Sequence, residues 1–186
     1  MNLSRFCLNN LGMRDMCFLL LYLAVCTTAS YDNNQQLKTL MNEVIKQDHR
    51  NDGVEVYVYK EGADILVYDL KSIGAQNSMA DVFRVFLQFA DKTKDYRFQT
   101  VKLAFRKNTK FVITGDYFNQ LGQEYSSQNP VFTIRTFPEN VFYPSGQRAY
   151  GSWTGGLLGV AQKQMEDFND FHKKWYLDDI VREGKK

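Results

Sequence analysis

Residues 54–70 have the sequence VEVYVYKEGADILVYDL, and this stretch decides the fold class. Its first six residues alternate valine with glutamate or tyrosine, which is the pattern of a half-buried strand. A glycine-containing segment, residues 60–64, separates this strand from the apolar residues 65–70, so the chain is expected to turn and form a second strand. The stretch therefore predicts a β-hairpin.

The flanking segments extend this hairpin into an α+β fold. Residues 101–113 predict a second hairpin around the turn at 107–110, and residues 131–137 (VFTIRTF) predict one further strand. Apolar residues recur at helical spacing in four stretches, which are residues 37–45, 79–90, 117–125 and 157–175. The predicted order is α-ββ-α-ββ-α-β-α, with an antiparallel sheet built from two hairpins plus the further strand and packed by amphipathic helices.

Two local signals place the predicted helices more closely. Ser78 and Asp81 resemble a capping box at the start of the second helix, and Thr114 is expected to cap the third. The inward positions of all elements are expected to form one continuous core: Leu40, Val44, Val56, Phe86, Leu103, Ile113, Ile134 and Phe168.

Residues 1–30 predict an export signal. Arg5 and Arg14 precede eleven uncharged residues, 16–26 (MCFLLLYLAVC), and small residues follow at 27–30. This run is shorter than the roughly 20 residues that span a bilayer and fits the roughly 7–15 residues of a signal-peptide core. Residues 31–186 are then expected to form a single globular α+β domain. Met13 is an alternative start to Met1, because it would give a shorter leader.

The three cysteines all lie in this leader, at positions 7, 17 and 26. Cleavage after Ser30 would leave no thiol, which excludes disulfides and a cysteine nucleophile from the mature domain. Residues 23–26 (LAVC) resemble the bacterial lipoprotein box, in which the cysteine is lipidated, although Val25 stands where a small residue is usual. Simple cleavage and lipidation on Cys26 therefore both remain open.

Charge and composition narrow the class of partner. The net charge is +2, and removal of residues 1–30, which hold two arginines and one aspartate, lowers it to +1. A nearly neutral domain lacks the field that non-specific nucleic-acid binding requires, so nucleic acid is not an expected partner. The mature segment has neither cysteine nor an Asn-x-Ser/Thr triplet, which favours a bacterial periplasm or cell envelope.

Residues 153–159 (WTGGLLG) are the most distinctive local feature, and Trp153, Gly155 and Gly156 are candidate ligand-binding residues. A glycine-rich turn that opens a helix presents backbone N–H groups to an anion. No lysine or hydroxyl residue follows the glycines directly, so we favour a structural role. Gly155 and Gly156 would form a tight turn, while Gly159 would let the helix approach the sheet closely.

Tyr150 and Arg135 are the remaining ligand-binding candidates. Tyr150 and Trp153 belong to an aromatic group within residues 142–153 that could supply contact surface to a partner. Arg135 stands between apolar neighbours in the predicted last strand, so its guanidinium needs a carboxylate or carbonyl partner, for which Asp116 is a candidate.

The residue types that most enzymes use are sparse. His172 lies on the apolar stripe of the last predicted helix, where a packed core histidine is expected. Glu166 and Asp170 share a face of that helix with Lys173 and Lys174 nearby, which is typical of a solvated helix face. We therefore assign no catalytic residue, no metal ligand and no cofactor.

The sequence favours an exported, non-enzymatic binding or accessory domain of the bacterial cell envelope, with a protein or an envelope component as its partner. Membrane contact is expected only through a lipid anchor on Cys26. The alternative is a small periplasmic hydrolase that uses Asp or His near the turn at residues 153–159. A deep pocket at His172, Asp116 or Glu166 would favour the hydrolase, whereas exposed Tyr and Trp side chains would favour binding.

Export is tested by the N-terminus of the mature protein. We expect N-terminal sequencing and intact mass to show loss of the leader near residues 25–30, because an apolar run followed by small residues is the pattern at which signal peptides are cleaved. An added fatty-acid mass on Cys26 would select lipidation over simple cleavage. Retention of Met1 or Met13 in a cytoplasmic protein would contradict the prediction.

Overall fold

A computed structural model of the protein describes residues 34–185 and confirms the α+β class. Its strands are β1 (Val54–Glu61), β2 (Ile65–Ile73), β3 (Thr100–Phe105) and β4 (Asn108–Thr114). Its α-helices are α1 (residues 34–47), α2 (Met79–Lys92), α3 (Gly115–Glu124), α4 (Pro130–Thr136), α5 (Leu157–His172) and α6 (Asp178–Glu183). Short 3-10 turns cover His49–Asn51 and Phe137–Asn140, and a π-helical turn covers Lys173–Leu177. The predicted leader, with Cys26, lies outside the described residues.

The four strands form one sheet in the order β1-β2-β3-β4. The two predicted hairpins, β1–β2 and β3–β4, are antiparallel and are confirmed. The prediction of a wholly antiparallel sheet is wrong, because β2 and β3 pair in parallel from Ile65 opposite Thr100 to Leu70 opposite Phe105. Parallel neighbours need a crossover, and α2 supplies it by returning the chain to the end of the sheet where β2 began.

The strand predicted at residues 131–137 is also wrong, since α4 and a 3-10 turn occupy this stretch. Asn129 is the N-cap of α4, and its side chain accepts a hydrogen bond from the Val131 amide at 2.9 Å. Pro130 follows at the first helical position, where its fixed φ suits a helix and its missing N–H costs nothing. This local start signal outweighs the β-propensity of the valine, isoleucine and threonine that follow.

Helix α2 lies at the centre of the core. Its start is the predicted capping box, in which Ser78 and Asp81 each accept from the other's backbone N–H. Phe86 packs edge-on against Tyr68 of β2, with ring centroids 5.1 Å apart, and Phe83 packs against Phe137 at 4.9 Å. The predicted core positions lie within this cluster or, for Leu40, Val56 and Ile134, pack against it while partly buried.

Helix α3 crosses α2 at very short range. Gly122 of α3 lies so close that a Cβ built on it would approach the Ala90 carbonyl oxygen to 2.2 Å. The predicted cap of α3 is confirmed, since the Thr114 side chain accepts from the Tyr117 amide. The contact between α2 and α3 therefore requires glycine at position 122.

Gly122→Ala is expected to destabilise the fold by about 1–3 kcal/mol, because the added methyl group must push two backbones apart. Gly159→Ala is the matched control, since Gly159 lies in α5 and a Cβ there meets nothing within 4 Å. This control is expected to be neutral or to stabilise by up to about 1 kcal/mol through helix propensity. Urea unfolding of both variants measures the difference, and equal effects would contradict the close contact.

Candidate functional site

Residues 151–159, which precede and begin α5, project from the body of the fold. All of them are exposed, and Leu157 and Leu158 are 74% and 86% exposed. A Cβ built on Gly155 or Gly156 would meet no atom within 4 Å. Because apolar side chains normally gain free energy by leaving water, two adjacent exposed leucines are a surface without a covering partner among the described residues.

Backbone geometry at the turn assigns different roles to its glycines. Gly155 has φ of +136°, a conformation that other residues rarely adopt, whereas Gly156 is the N-cap of α5 with φ of −67°. The expectation that Gly159 lets the helix approach the sheet is wrong, since open space surrounds this residue. Leu157 is likewise exposed although its spacing placed it on the packed stripe, because no described residue covers it in the first turn of α5.

The loop before the turn is attached to α5 by two aromatic side chains. The Trp153 indole N–H donates to Asp167 Oδ2 at 2.7 Å, and the Tyr150 hydroxyl donates to Asp170 Oδ2 at 3.0 Å. Tyr150 is buried, and its burial, together with the Asp170 carboxylate, raises the pKa of its hydroxyl. Trp153 leaves part of its ring exposed. Of these two candidates, the structure presents Trp153 to solvent and uses Tyr150 as an internal anchor.

Arg135 connects α4 to α5 and is not part of a strand. Its Nε donates to Gln164 Oε1 at 3.0 Å, and Gln164 Nε2 donates to Glu139 Oε1 at 2.7 Å. The partner of the guanidinium is therefore an amide on α5, and the suggested pairing with Asp116 of α3 is wrong. Arg135 fixes the position of α4 beside α5.

Helix α4 exposes a second apolar pair, Val131 and Phe132. Phe132 lines a cleft together with Tyr117 and Leu121 of α3, so this pair lies beside α3. The exposed side chains of Trp153, Leu157 and Leu158 belong to one continuous segment, and we call these three residues the apolar tip.

His172 lies in the core, as predicted, with 0% exposure. Its Nδ1 lies 2.9 Å from the Tyr176 hydroxyl oxygen in a hydrogen bond, while its Nε2 has no hydrogen-bond partner among the described residues. Burial lowers the pKa of His172 from 6.5 to about 3, because the cationic ring would lose its hydration. The ring is therefore neutral at physiological pH and out of reach of solvent.

A polar cleft that the sequence did not indicate lies at another position. It measures about 520 Å³ and lies between the 3-10 turn at His49–Asn51 and residues 74–77. Two of its charged groups have partners: Arg50 pairs with Asp48 at 2.6 Å, and Asp81 pairs with Arg84 at 2.8 Å. Because the turn at His49–Asn51 lies far in sequence from the loop at 74–77, residue spacing could not reveal the cleft.

The chain matches no protein-family model, no curated protein and no solved structure. Within residues 34–185, no group of His, Asp or Glu side chains could hold a metal ion. In the same part of the chain, no helix is both long enough and apolar enough to cross a membrane.

Burial of neutral His172 predicts a pH dependence of stability. The unfolded chain takes up a proton near pH 6.5 and the folded chain only near pH 3, so stability falls as the pH decreases through this window. Each pH unit well below 6.5 should cost about 1.4 kcal/mol from this group. The free energy of unfolding is best measured between about pH 6.5 and pH 5, because most carboxyl groups stay ionised in this range.

His172→Gln is the control variant for this measurement, because glutamine retains polar atoms but does not titrate. The variant should lose most of the slope of stability against pH in that window, whatever its absolute stability. Equal slopes for the two proteins would show that His172 is not held neutral in the core.

Proposed function

We propose that the chain is an exported, non-enzymatic binding domain of the bacterial cell envelope and that the apolar tip is its contact surface. The observation that carries this proposal is the exposure of Leu157 and Leu158 beside Trp153 at one end of the molecule. Large exposed apolar groups that cluster are typical of binding surfaces, while isolated ones are not. The uncharged run in the leader, residues 16–26, supports the exported location.

Part of the tip is ordered before any partner arrives. Trp153 is anchored to Asp167 through its indole N–H, and Leu157 and Leu158 have helical backbone because they begin α5. Side chains that are already ordered lose less conformational entropy when they bind. The fold therefore presents the exposed ring of Trp153 beside the first turn of α5.

The alternative of a periplasmic hydrolase receives no support from the residues near the turn. His172 is fully buried and neutral, so it does not reach a substrate in solvent. Asp167 accepts from Trp153, and Asp170 accepts from Tyr150 and pairs with Lys174 at 2.6 Å. These carboxylates attach the loop to α5, which is the arrangement a structural role requires.

A photo-crosslinking amino acid at position 158 tests the proposal in cells that export the chain. We expect this probe to crosslink to an envelope molecule, protein or lipid, because position 158 is the most exposed position of the tip. The matched control is the same probe at position 181, where Val181 is 54% exposed on α6, away from the tip. Crosslinking at 158 no stronger than at 181 would overturn the proposal.

A further inference from the structure

We propose that the envelope component contacted by the apolar tip is the lipid bilayer itself, with Leu157 and Leu158 inserted into the interfacial region of an anionic membrane. This inference rests on the proposed function, because it names the partner of the same surface. It also goes beyond the sequence, which indicated membrane contact only through Cys26.

The tip is built from a segment that contains no charged residue. Residues 149–162 lack Asp, Glu, Lys and Arg, and they carry Trp153 with the two leucines. Charged groups are costly to move into a bilayer, so this composition permits insertion of the segment.

Polar groups along α5 are layered as a membrane interface requires. With a rise of about 1.5 Å per residue, Lys163 lies about 7.5 Å and Glu166 about 12 Å along the helix from Leu158. Interfacial segments bury their apolar groups about 5–10 Å deep, so the carboxylates of α5 stay in water while Lys163 reaches the headgroups. Lys163 Nζ lies 5.9 Å from the centre of the Trp153 ring, and the indole N–H is bonded to Asp167, so the ring lies beside Lys163 with its polar edge toward water. Tryptophan is enriched at headgroup depth in membrane proteins.

A lysine lies beside the tip where anionic headgroups would lie. Lys163 follows residues 149–162 directly in sequence, and its Nζ lies over the Trp153 ring. Lys163 pairs with Glu166 at 2.7 Å, but both side chains are about half exposed, and such surface pairs exchange readily for other partners. Lys163 can therefore contact anionic headgroups, which attract cations close to the surface.

The shape of the tip favours lipid over a protein partner. Gly155, Gly156 and Gly159 are surrounded by open space, so this end of α5 is convex rather than a groove. Residues 155–161 (GGLLGVA) also carry no polar side chain. Protein interfaces carry about one hydrogen bond per 100–200 Å², whereas a hydrocarbon phase requires none.

Fluorescence of Trp153 in the full chain tests this directly. The probe is a vesicle of phosphatidylglycerol and phosphatidylcholine with bromine on the upper acyl chain, because bromine quenches only indoles that reach it. We expect lipid-dependent quenching of Trp153, with buried Trp175 as a constant background that Trp153→Phe defines. Quenching reports how deep Trp153 lies in the bilayer. Attachment of the chain to the membrane through a lipidated Cys26 would therefore not produce this quenching by itself.

L157S/L158S should raise the lipid concentration at which quenching is half-maximal by at least about tenfold, because the variant no longer buries two leucines in lipid. Val181→Ser is the matched control on α6 and should leave the quenching unchanged. Lys163→Gln should weaken it on anionic vesicles but not on phosphatidylcholine alone. The three variants carry substitutions only at exposed positions, and melting curves will verify that each variant folds.

Trp153 that stays unquenched at saturating lipid, or quenching that L157S/L158S leaves unchanged, would overturn the lipid assignment. If position 158 then crosslinks to a protein in cells, the binding function stands and only the lipid partner is wrong. If position 158 crosslinks to nothing and Trp153 is not quenched, both proposals fail.

Discussion

The structure depends on the burial of helix α2 between the sheet and the surrounding helices. Eight of its fourteen residues are buried, so it is apolar on more than one side. The helix also supplies the crossover that makes β2 and β3 parallel neighbours, and this pair joins two separate hairpins into one sheet. Away from the sheet, the Gln88 side-chain oxygen accepts a hydrogen bond from the buried Asn51 amide at 2.7 Å. The backbone of Ala90 lies in close contact with Gly122 of α3. Loss of this helix would leave two isolated hairpins, which are marginally stable in water.

How much of this fold the sequence could predict depends on the range of the responsible interactions. Both hairpins and the start of α2 were predictable, because alternation, turns and capping act within a few residues. The parallel pairing of β2 with β3 was not, since two hairpins can join along either edge and the choice is made by packing of the intervening helix. Helix α4 was missed because its residues have high β-propensity, although Asn129 followed by Pro130 was a helix-start signal in the sequence.

Prediction of the candidate site was limited in the same way, because only its local sequence pattern was visible before folding. The sequence marked residues 153–159 as unusual, and this is where the structure exposes its apolar residues. Helical spacing nevertheless assigned Leu157 to the packed face, because periodicity does not show where a helix extends beyond its neighbours. Arg135 finds its partner on α5, 29 residues away in sequence, and such a contact becomes visible only in the folded chain. His172 was predicted as a core residue because its immediate neighbours on the helix are aromatic, and this was confirmed.

Helix α5 therefore contributes both to the buried core and to the uncovered apolar tip. The later turns of α5 bury Phe168, Phe171 and His172, while its first turn carries Leu157 and Leu158 into solvent. This division separates the part of the helix that stabilises the fold from the part that is free to contact another surface. We propose that the exposure of the two leucines serves binding, since no described residue covers them.

Hydrogen–deuterium exchange of the protein, free and bound to isolated cell envelopes, tests this central claim most directly. The expected result is new protection of backbone amides in residues 151–163, with exchange in α2 and the sheet unchanged. Protection that appears on the sheet or at the cleft near residues 49–53, with none at the start of α5, would contradict it.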